Sequence, residues 1–174
     1  MLVSEFDDLS DGAAAQLLTS CCGAKGWVGG MLARRPFGAM EQLLDAADEL
    51  WLGLSESDWR EAFDHHPRIG TRTSAAPQDT RARTWSSQEQ AGMDAASTAT
   101  RERLRAANAL YEARFGYICI ICAAGRSADE LLSITHARLA NEPAAEIHIA
   151  AEEQRRITRL RLARLFHDPA GVPR

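Results

Sequence analysis

The chain has 174 residues, enough for one domain with a buried core, and its 45% hydrophobic content argues against disorder. Its formal net charge of −4 provides no global basic field that would recruit nucleic acid. The acidic beginning lacks the apolar core of a signal peptide, and no apolar run reaches the ~18 residues of a membrane span. We therefore expect a cytoplasmic protein whose four cysteines are reduced thiols. Abundant arginine with a single lysine, Lys25, favours a bacterial source.

The first half of the chain is dominated by helical patterns, and its abundant alanine and few aromatic residues favour helix over sheet. Asp11 is expected to cap the first helix, and "GWVGGMLARRPF" predicts a short second helix that stops before Pro36. The segment "AMEQLLDAADELWLGL" has apolar residues with a period of 3.6 and predicts an amphipathic helix. Ser55 is expected to cap "ESDWREAFDHH", in which Trp59 and Phe63 share one side, which we assign to the core.

A polar stretch over residues 67–84 interrupts the helical pattern. We interpret it as a loop of roughly 18 residues, and such a length in a compact domain is typical of a functional loop. A long helix is then expected to begin at a cap formed by Ser86 or Ser87 and to end at Gly116, with a bend at Gly92.

The apolar segment "YICIICAAG" has the composition of a buried strand, but the sequence offers it no partner strand. We therefore predict a buried extended segment between helices. Ser127 is expected to cap the following helix, and Pro143 lies early in the last one, where its missing N–H costs little. The predicted fold is an all-α, single-domain bundle of about seven to eight helices over residues 1–174.

Two adjacent histidines, His65 and His66, follow Asp64 at the end of a predicted helix. Neighbouring residues on a helix point about 100° apart and rarely share one metal ion, and a zinc site would favour spaced histidines. Two other interpretations are better supported. One is a pair of helix-end histidines favoured by the helix dipole. The other is a catalytic imidazole at the mouth of the long loop, where Pro67 fixes the chain direction.

Three further motifs each have a structural and a functional interpretation. Cys119-x-x-Cys122 has redox spacing, but its isoleucine-rich surroundings and the lack of a helix N-terminus favour buried, inert thiols. Ser86 and Glu89 match a capping box. Arg161 lies on or beside the apolar stripe of the last helix, where it needs an anionic partner. That partner is either an internal carboxylate or a carboxylate or oxyanion of a substrate.

Taken together, four segments occur in an order and spacing that resemble one known family. They are "HHPRIG", "SSQEQAG", "LYEARFGYICIICAAGRS" and "RLANEPAAEIHIAAEEQRRITRLRL". The chain resembles the decarboxylases of 2-oxo-4-hydroxy-4-carboxy-5-ureidoimidazoline (OHCU) over roughly residues 6–166. The resemblance implies an all-helical domain, typically a homodimer, that uses no cofactor and no metal. It implies a carboxy-lyase that turns OHCU into (S)-allantoin and CO2 in urate degradation.

The resemblance also implies roles for individual residues. It makes His66 and Glu89 catalytic, and leaves His65 only to end its helix. Arg68 is expected either to shape the turn that aims His66 or to act as a structural ion-pair partner. The family's binding arginine falls on Arg161, with Arg159 as the alternative register. The substrate-binding residues implied are Pro67, Ser86, Gln90, Ile120 and Arg161.

Other functions remain as alternatives at this stage. The arginine-rich last helix could make the chain a helical binding module for nucleic acid or an acidic protein, although the acidic net charge opposes this. Asp64, His65 and His66 could support a metal-dependent hydrolase. Action on the preceding intermediate, 5-hydroxyisourate, is a third possibility, but the family that performs it is β-rich. We favour a small-molecule enzyme that has neither a nucleic-acid nor a membrane partner.

Overall fold

A computed structural model describes residues 1–69, 80–93 and 96–166 of the chain. Within these residues it contains nine α-helices, one short 3-10 helix and no strand, so the predicted all-α class is confirmed. The α-helices are α1 (Val3–Asp7), α2 (Asp11–Cys21), α3 (Lys25–Ala33), α4 (Met40–Leu52), α5 (Glu56–Asp64), α6 (Thr80–Glu89), α7 (Thr98–Phe115), α8 (Ala128–Arg138) and α9 (Pro143–Leu165). The 3-10 helix Ala91–Met93 follows α6.

The helix ends follow the local sequence signals closely. Ser10, rather than the expected Asp11, caps α2, because its hydroxyl accepts the N–H of Ala13. Ser127 caps α8, as predicted, and it forms a full capping box with Glu130. Pro143 is the first residue of α9, the position where proline is best tolerated.

The predicted long helix from residue 86 to residue 116 is wrong, since the structure divides it. α6 begins at Thr80, inside the segment predicted as loop, and ends at Glu89. α7 begins only after Ser97, whose hydroxyl accepts the N–H of Thr100 at 3.0 Å. A serine cap inside the predicted helix thus starts a second helix. Residues 70–79 of the predicted loop lie outside the described residues.

The chain forms two compact units, and the first comprises Met1–Glu61 and the described part of Arg155–Arg174. The indole N–H of Trp27 donates to the Ala47 carbonyl at 3.0 Å and so fastens α3 to α4. The core of this unit consists of large apolar side chains that are fully buried, namely Phe6, Leu18, Trp27, Met31, Leu43 and Leu162.

The second unit spans Ala62–Gln154, and α7 packs along α8 within it. Phe63, Leu104 and Leu131 are fully buried there, so Phe63 lies in the core as predicted. The prediction of a single domain over residues 1–174 remains a prediction.

An ion pair lies in the interior of the second unit. The Arg138 guanidinium donates from Nε to Glu146 Oε1 at 2.7 Å, and Glu146 is fully buried. The Tyr111 hydroxyl also donates to Glu146, and the Asn141 amide donates to the other carboxylate oxygen at 2.6 Å. A buried carboxylate is tolerated because its oxygens are occupied by such donors.

Arg138 also contacts the segment "YICIICAAG", for which the sequence offers no partner strand. Arg138 Nη1 donates to the Ile120 carbonyl at 2.6 Å. The N–H of Cys122 donates to the Glu153 carboxylate at 2.8 Å, and its carbonyl accepts from Arg126 Nε at 3.1 Å. Side chains thus take the place of a neighbouring strand, and the segment is largely buried and lies between helices, as predicted.

In the part of the chain that the structure describes, no helix has the length and apolar character needed to cross a membrane.

Replacing Arg138 with methionine should leave the Glu146 carboxylate buried without its cation. We expect the free energy of unfolding in urea to fall by about 3–5 kcal/mol. The control is Arg60→Met, which removes an exposed pair with Glu56 one turn away on α5, and it should cost less than about 0.5 kcal/mol. Equal losses in the two variants would show that the buried pair does not stabilise the fold.

Candidate active site

The His66 side chain is buried just beyond the end of α5. Its backbone N–H donates to the Phe63 carbonyl at 3.0 Å, which continues the helical turn. Only 8% of His66 is exposed, whereas Asp64 is exposed and His65 is half-buried. The three neighbours therefore differ in surroundings, and His66 is the one withdrawn from solvent.

Two of the three residues that α6 buries are polar, which is unusual for the inward side of a helix. Ala82, Ser86 and Glu89 are its buried residues, and their spacing of four and three places them on one side of the helix. Gln90, directly after the helix, is half-buried. A carboxylate and a hydroxyl on the buried side of a helix are costly unless polar groups or a ligand meet them.

The capping-box interpretation of Ser86 and Glu89 is wrong. Ser86 is the seventh residue of α6, and Glu89 is its last residue. At the end of a helix Glu89 has no free backbone N–H groups to cap, and the helix dipole disfavours its negative charge. Neither residue therefore serves the start of a helix.

The end of α6 lies against the extended segment that carries Ile120. A Cβ atom added at Gly92 would come within 1.9 Å of the Arg126 carbonyl oxygen, so the two backbones are in direct contact. Burial raises the pKa of the Cys122 thiol, and the negative charges of Glu153 and Glu89 add to that rise. The structure thus brings the end of α6 close to the segment that carries Ile120.

The chain leading to His66 packs on the beginning of the same segment. The rings of Phe63 and Tyr117 lie 5.4 Å apart, three residues before His66 and three before Ile120. Ile120 is 2% exposed, and Pro67 is buried as well. His66, Pro67, Ser86, Glu89, Gln90 and Ile120 all belong to the second unit.

Arg161 belongs to the first unit, where it is 3% exposed. Its Nη1 lies 3.4 Å from the Ser20 carbonyl, and its charge lowers the pKa of Cys22 against the larger, opposite effect of burial. The two other arginines on this stretch of α9 are differently placed. Arg155 and Arg159 both donate to the Asp48 carboxylate, at 2.7 and 2.6 Å.

The cysteines provide little thiolate. Burial raises the pKa of Cys22 and that of Cys119 to about 11, and none of the four cysteines, all of which the structure describes, forms a disulfide bond. At neutral pH these two groups are therefore protonated and poorly nucleophilic, which agrees with the prediction of inert thiols. Within residues 1–69, 80–93 and 96–166, no three or more His, Cys, Asp or Glu side chains are grouped so as to hold a metal ion.

Sequence reasoning missed the residues that hold the segment around Ile120. Arg138, Glu146, Glu153 and Gly92 have this role in the structure. Their partners lie far away in sequence, and a short-range pattern cannot reveal them. The available signal was an extended apolar segment without a partner strand, which required hydrogen-bonding groups from side chains.

A family model described as OHCU decarboxylase matches residues 7–163. The chain belongs to the OHCU decarboxylase family. A solved OHCU decarboxylase, crystallised in the presence of (S)-allantoin, is 34% identical and superposes with a TM-score of 0.75. The match covers 88% of this chain and 99% of that one. The resemblance found in the sequence is confirmed.

Two curated proteins and one further solved structure are also similar to this chain. The uric acid degradation bifunctional protein TTL of Arabidopsis thaliana is 37% identical over 87% of this chain. An OHCU decarboxylase of Amia calva is 39% identical over 48% of this chain. The chain spans about half the length of these two curated relatives, 47% in each case. A solved (S)-allantoin synthase is 16% identical and shares the fold, with a TM-score of 0.69 over 95% of this chain and 54% of the other.

Gly92→Ala should separate the end of α6 from the extended segment, because the new methyl group would overlap the Arg126 carbonyl. We expect a loss of about 1–3 kcal/mol in the free energy of unfolding, as for other overpacked sites. Gly29→Ala is the matched control, since Gly29 lies within α3 and, apart from its chain neighbours and the backbone of its own helix, no atom lies within 4 Å of its Cβ position. The control should be neutral or slightly stabilising. A neutral Gly92→Ala would contradict the close approach.

Proposed function

We propose that this chain catalyses the decarboxylation of OHCU to (S)-allantoin, without a cofactor, as a step of urate degradation. The family membership supports this reaction, as does the likeness to an OHCU decarboxylase along nearly its whole length. One observation in the structure carries the proposal. α6 turns a serine and a glutamate inward, and the turn directly after α6 contacts Arg126, at the end of the segment that carries Ile120.

The reaction makes few chemical demands on the protein. OHCU has a carboxylate and a hydroxyl on one ring carbon, next to an imine-like carbon. When the bond to the carboxylate breaks, CO2 leaves, the electrons of that bond pass into the C=N group, and the ring nitrogen takes up a proton from solvent. The hydroxyl then loses its proton to become a carbonyl, and the neighbouring carbon gains a proton. The substrate therefore contains its own electron sink, and the enzyme must orient it and control two protons.

The His66 imidazole is suited to accept or return the hydroxyl proton of the substrate. An imidazole titrates near neutral pH and can exchange a proton with a hydroxyl group. We assign to His66 the contact with the substrate hydroxyl and carboxylate that triggers the loss of CO2. Its burial would remove water that competes for these groups.

Orientation of the substrate is assigned to the end of α6. Glu89 can accept, and Gln90 can both accept and donate, so together they suit the ureido and ring N–H groups. Ser86 lies one turn before Gln90 and offers a hydroxyl. Pro67 and Ile120 are the proposed apolar neighbours. A substrate held by one set of donors and acceptors would be protonated on one face, which yields a single enantiomer.

Arg161 is the proposed holder of negative charge on substrate oxygen. Its burial agrees with this role, because a guanidinium withdrawn from water interacts strongly with an anion. Arg159, the alternative from the sequence register, already donates to Asp48 at 2.6 Å. That ion pair gives Arg159 a structural partner, so we favour Arg161.

The proposal is tested by forming OHCU in solution from urate and following circular dichroism after the protein is added. We expect rapid formation of (S)-allantoin alone. His66→Asn, which preserves size and polarity, should lower kcat by about 10²–10⁴-fold through loss of proton transfer. Far-UV circular dichroism should show the same helix content in both proteins.

Racemic allantoin formed at the spontaneous rate with the wild-type protein would refute the proposed function. An active His66→Asn variant with normal kcat would instead remove His66 from the mechanism while leaving the reaction intact.

A second comparison decides between the two arginines. Arg161→Lys retains the charge but loses the paired donors, and it should lower kcat/KM by about 10- to 100-fold. Arg159→Lys should leave kcat/KM within about threefold, because Asp48 can still pair with a lysine or with Arg155. The reverse order of effects in steady-state kinetics would assign the binding role to Arg159.

The setting proposed for this activity is a homodimer in a bacterial cytoplasm. The arginine-rich composition supports the bacterial source, and the cytoplasm is proposed as a compartment in which the four cysteines stay reduced. The dimer rests on the family resemblance. The alternative of a binding module gains no support, since Arg155 and Arg159 are paired with Asp48 and Arg161 is buried.

A further inference from the structure

The turn that carries His66 is attached to α7 through side chains. Arg68 donates from Nε to Glu112 Oε2 at 2.9 Å and from Nη2 to Glu112 Oε1 at 2.6 Å. Two parallel hydrogen bonds between a guanidinium and a carboxylate fix direction as well as distance. Arg68 is thus both an ion-pair partner and a restraint on the chain two residues after His66.

A second contact from the same face of α7 reaches the next residue. Asn108 lies four positions before Glu112, and therefore on the same side of the helix. Its Nδ2 donates to the Ile69 carbonyl at 3.4 Å, and only 8% of Asn108 is exposed. Two consecutive residues, Arg68 and Ile69, are held by two side chains one helical turn apart.

The position of this attachment matters because Pro67 stands between it and the histidine. The proline ring fixes one backbone angle, so a displacement at Arg68 is passed to His66 with little room for adjustment. The His66 N–H is bonded to Phe63 on the other side. The backbone that carries the imidazole is therefore held between the end of α5 and the side chains of α7.

The exposure of the Arg68–Glu112 ion pair favours a positioning role over a stabilising one. The side chains of Arg68 and Glu112 are 41% and 36% exposed, and ion pairs so open to water contribute little to global stability. The Arg68 hydrogen bond lowers the pKa of Glu112, which keeps this carboxylate ionised over the range where a histidine titrates.

We propose that the Arg68–Glu112 ion pair, together with Asn108, positions His66 for catalysis and that α7 is thereby part of the catalytic framework. This inference rests on the proposed function, in which His66 handles the substrate proton. Arg68 and Glu112 are positioning residues, which act through the turn and do not touch the substrate.

The kinetic test uses Arg68→Met and Glu112→Gln, with Arg60→Met as the matched control. Arg60 pairs with Glu56 at 2.8 Å on α5 and has the same 41% exposure as Arg68. We expect kcat to fall at least about tenfold in the two test variants, since small misplacement of a reacting group has large kinetic effects. KM should change less than about twofold, and the control should behave as wild type.

The charge-reversed variant Arg68→Glu with Glu112→Arg should recover much of the kcat that either single reversal loses. A purely structural pair would not give this pattern of a selective kcat loss with rescue. Test variants that match Arg60→Met in kcat, or a reversed pair no better than its single variants, would overturn the proposal.

A readout independent of activity is the NMR titration of the His66 imidazole, identified by the signal that His66→Asn removes. The chemical shift and apparent pKa of His66 should change in Arg68→Met and remain as in wild type in Arg60→Met. An unchanged His66 signal in Arg68→Met would overturn the positioning role. If the wild-type protein forms no (S)-allantoin, the proposed function fails, and the titration alone decides whether the ion pair positions His66.

Discussion

The buried ion pair of Arg138 and Glu146 is the constraint on which the second unit depends. It places a charged arginine in the interior and uses the remaining donors of that arginine to hold the Ile120 carbonyl. An extended segment can therefore cross a helical protein without a sheet, because side chains from α8 and α9 satisfy its peptide groups. Once this segment is fixed, the end of α6 has a rigid backbone to pack against.

The contact with that backbone allows α6 to be held in place although it buries little apolar surface. Its buried residues are alanine, serine and glutamate instead of a stripe of large apolar side chains. A helix with so little apolar burial gains little from the hydrophobic effect, and its position must come from specific contacts such as the approach of Gly92 to Arg126. In our account, the apolar burial of α6 is small because this helix provides Glu89 and Gln90 to bind a polar substrate.

The amphipathic helices could be predicted from sequence because they bury large apolar residues at regular intervals. α4 and the caps at Ser55 and Ser127 follow directly from local chemistry. α6 could not be predicted in this way, since its inward face is polar and its pattern resembles a loop. The site residues were named through the family resemblance of short motifs. Their partners, such as Arg138 and Glu112, come from distant parts of the chain and required the structure.

A crystal structure of this protein with (S)-allantoin would test the central claim most directly, namely that the end of α6 and the Ile120 segment form the substrate site with His66. The account predicts that allantoin makes hydrogen bonds to Glu89 or Gln90, touches the backbone around Ile120 and lies within reach of the His66 imidazole. Allantoin bound elsewhere in the crystal, with His66 and Glu89 untouched, would contradict it.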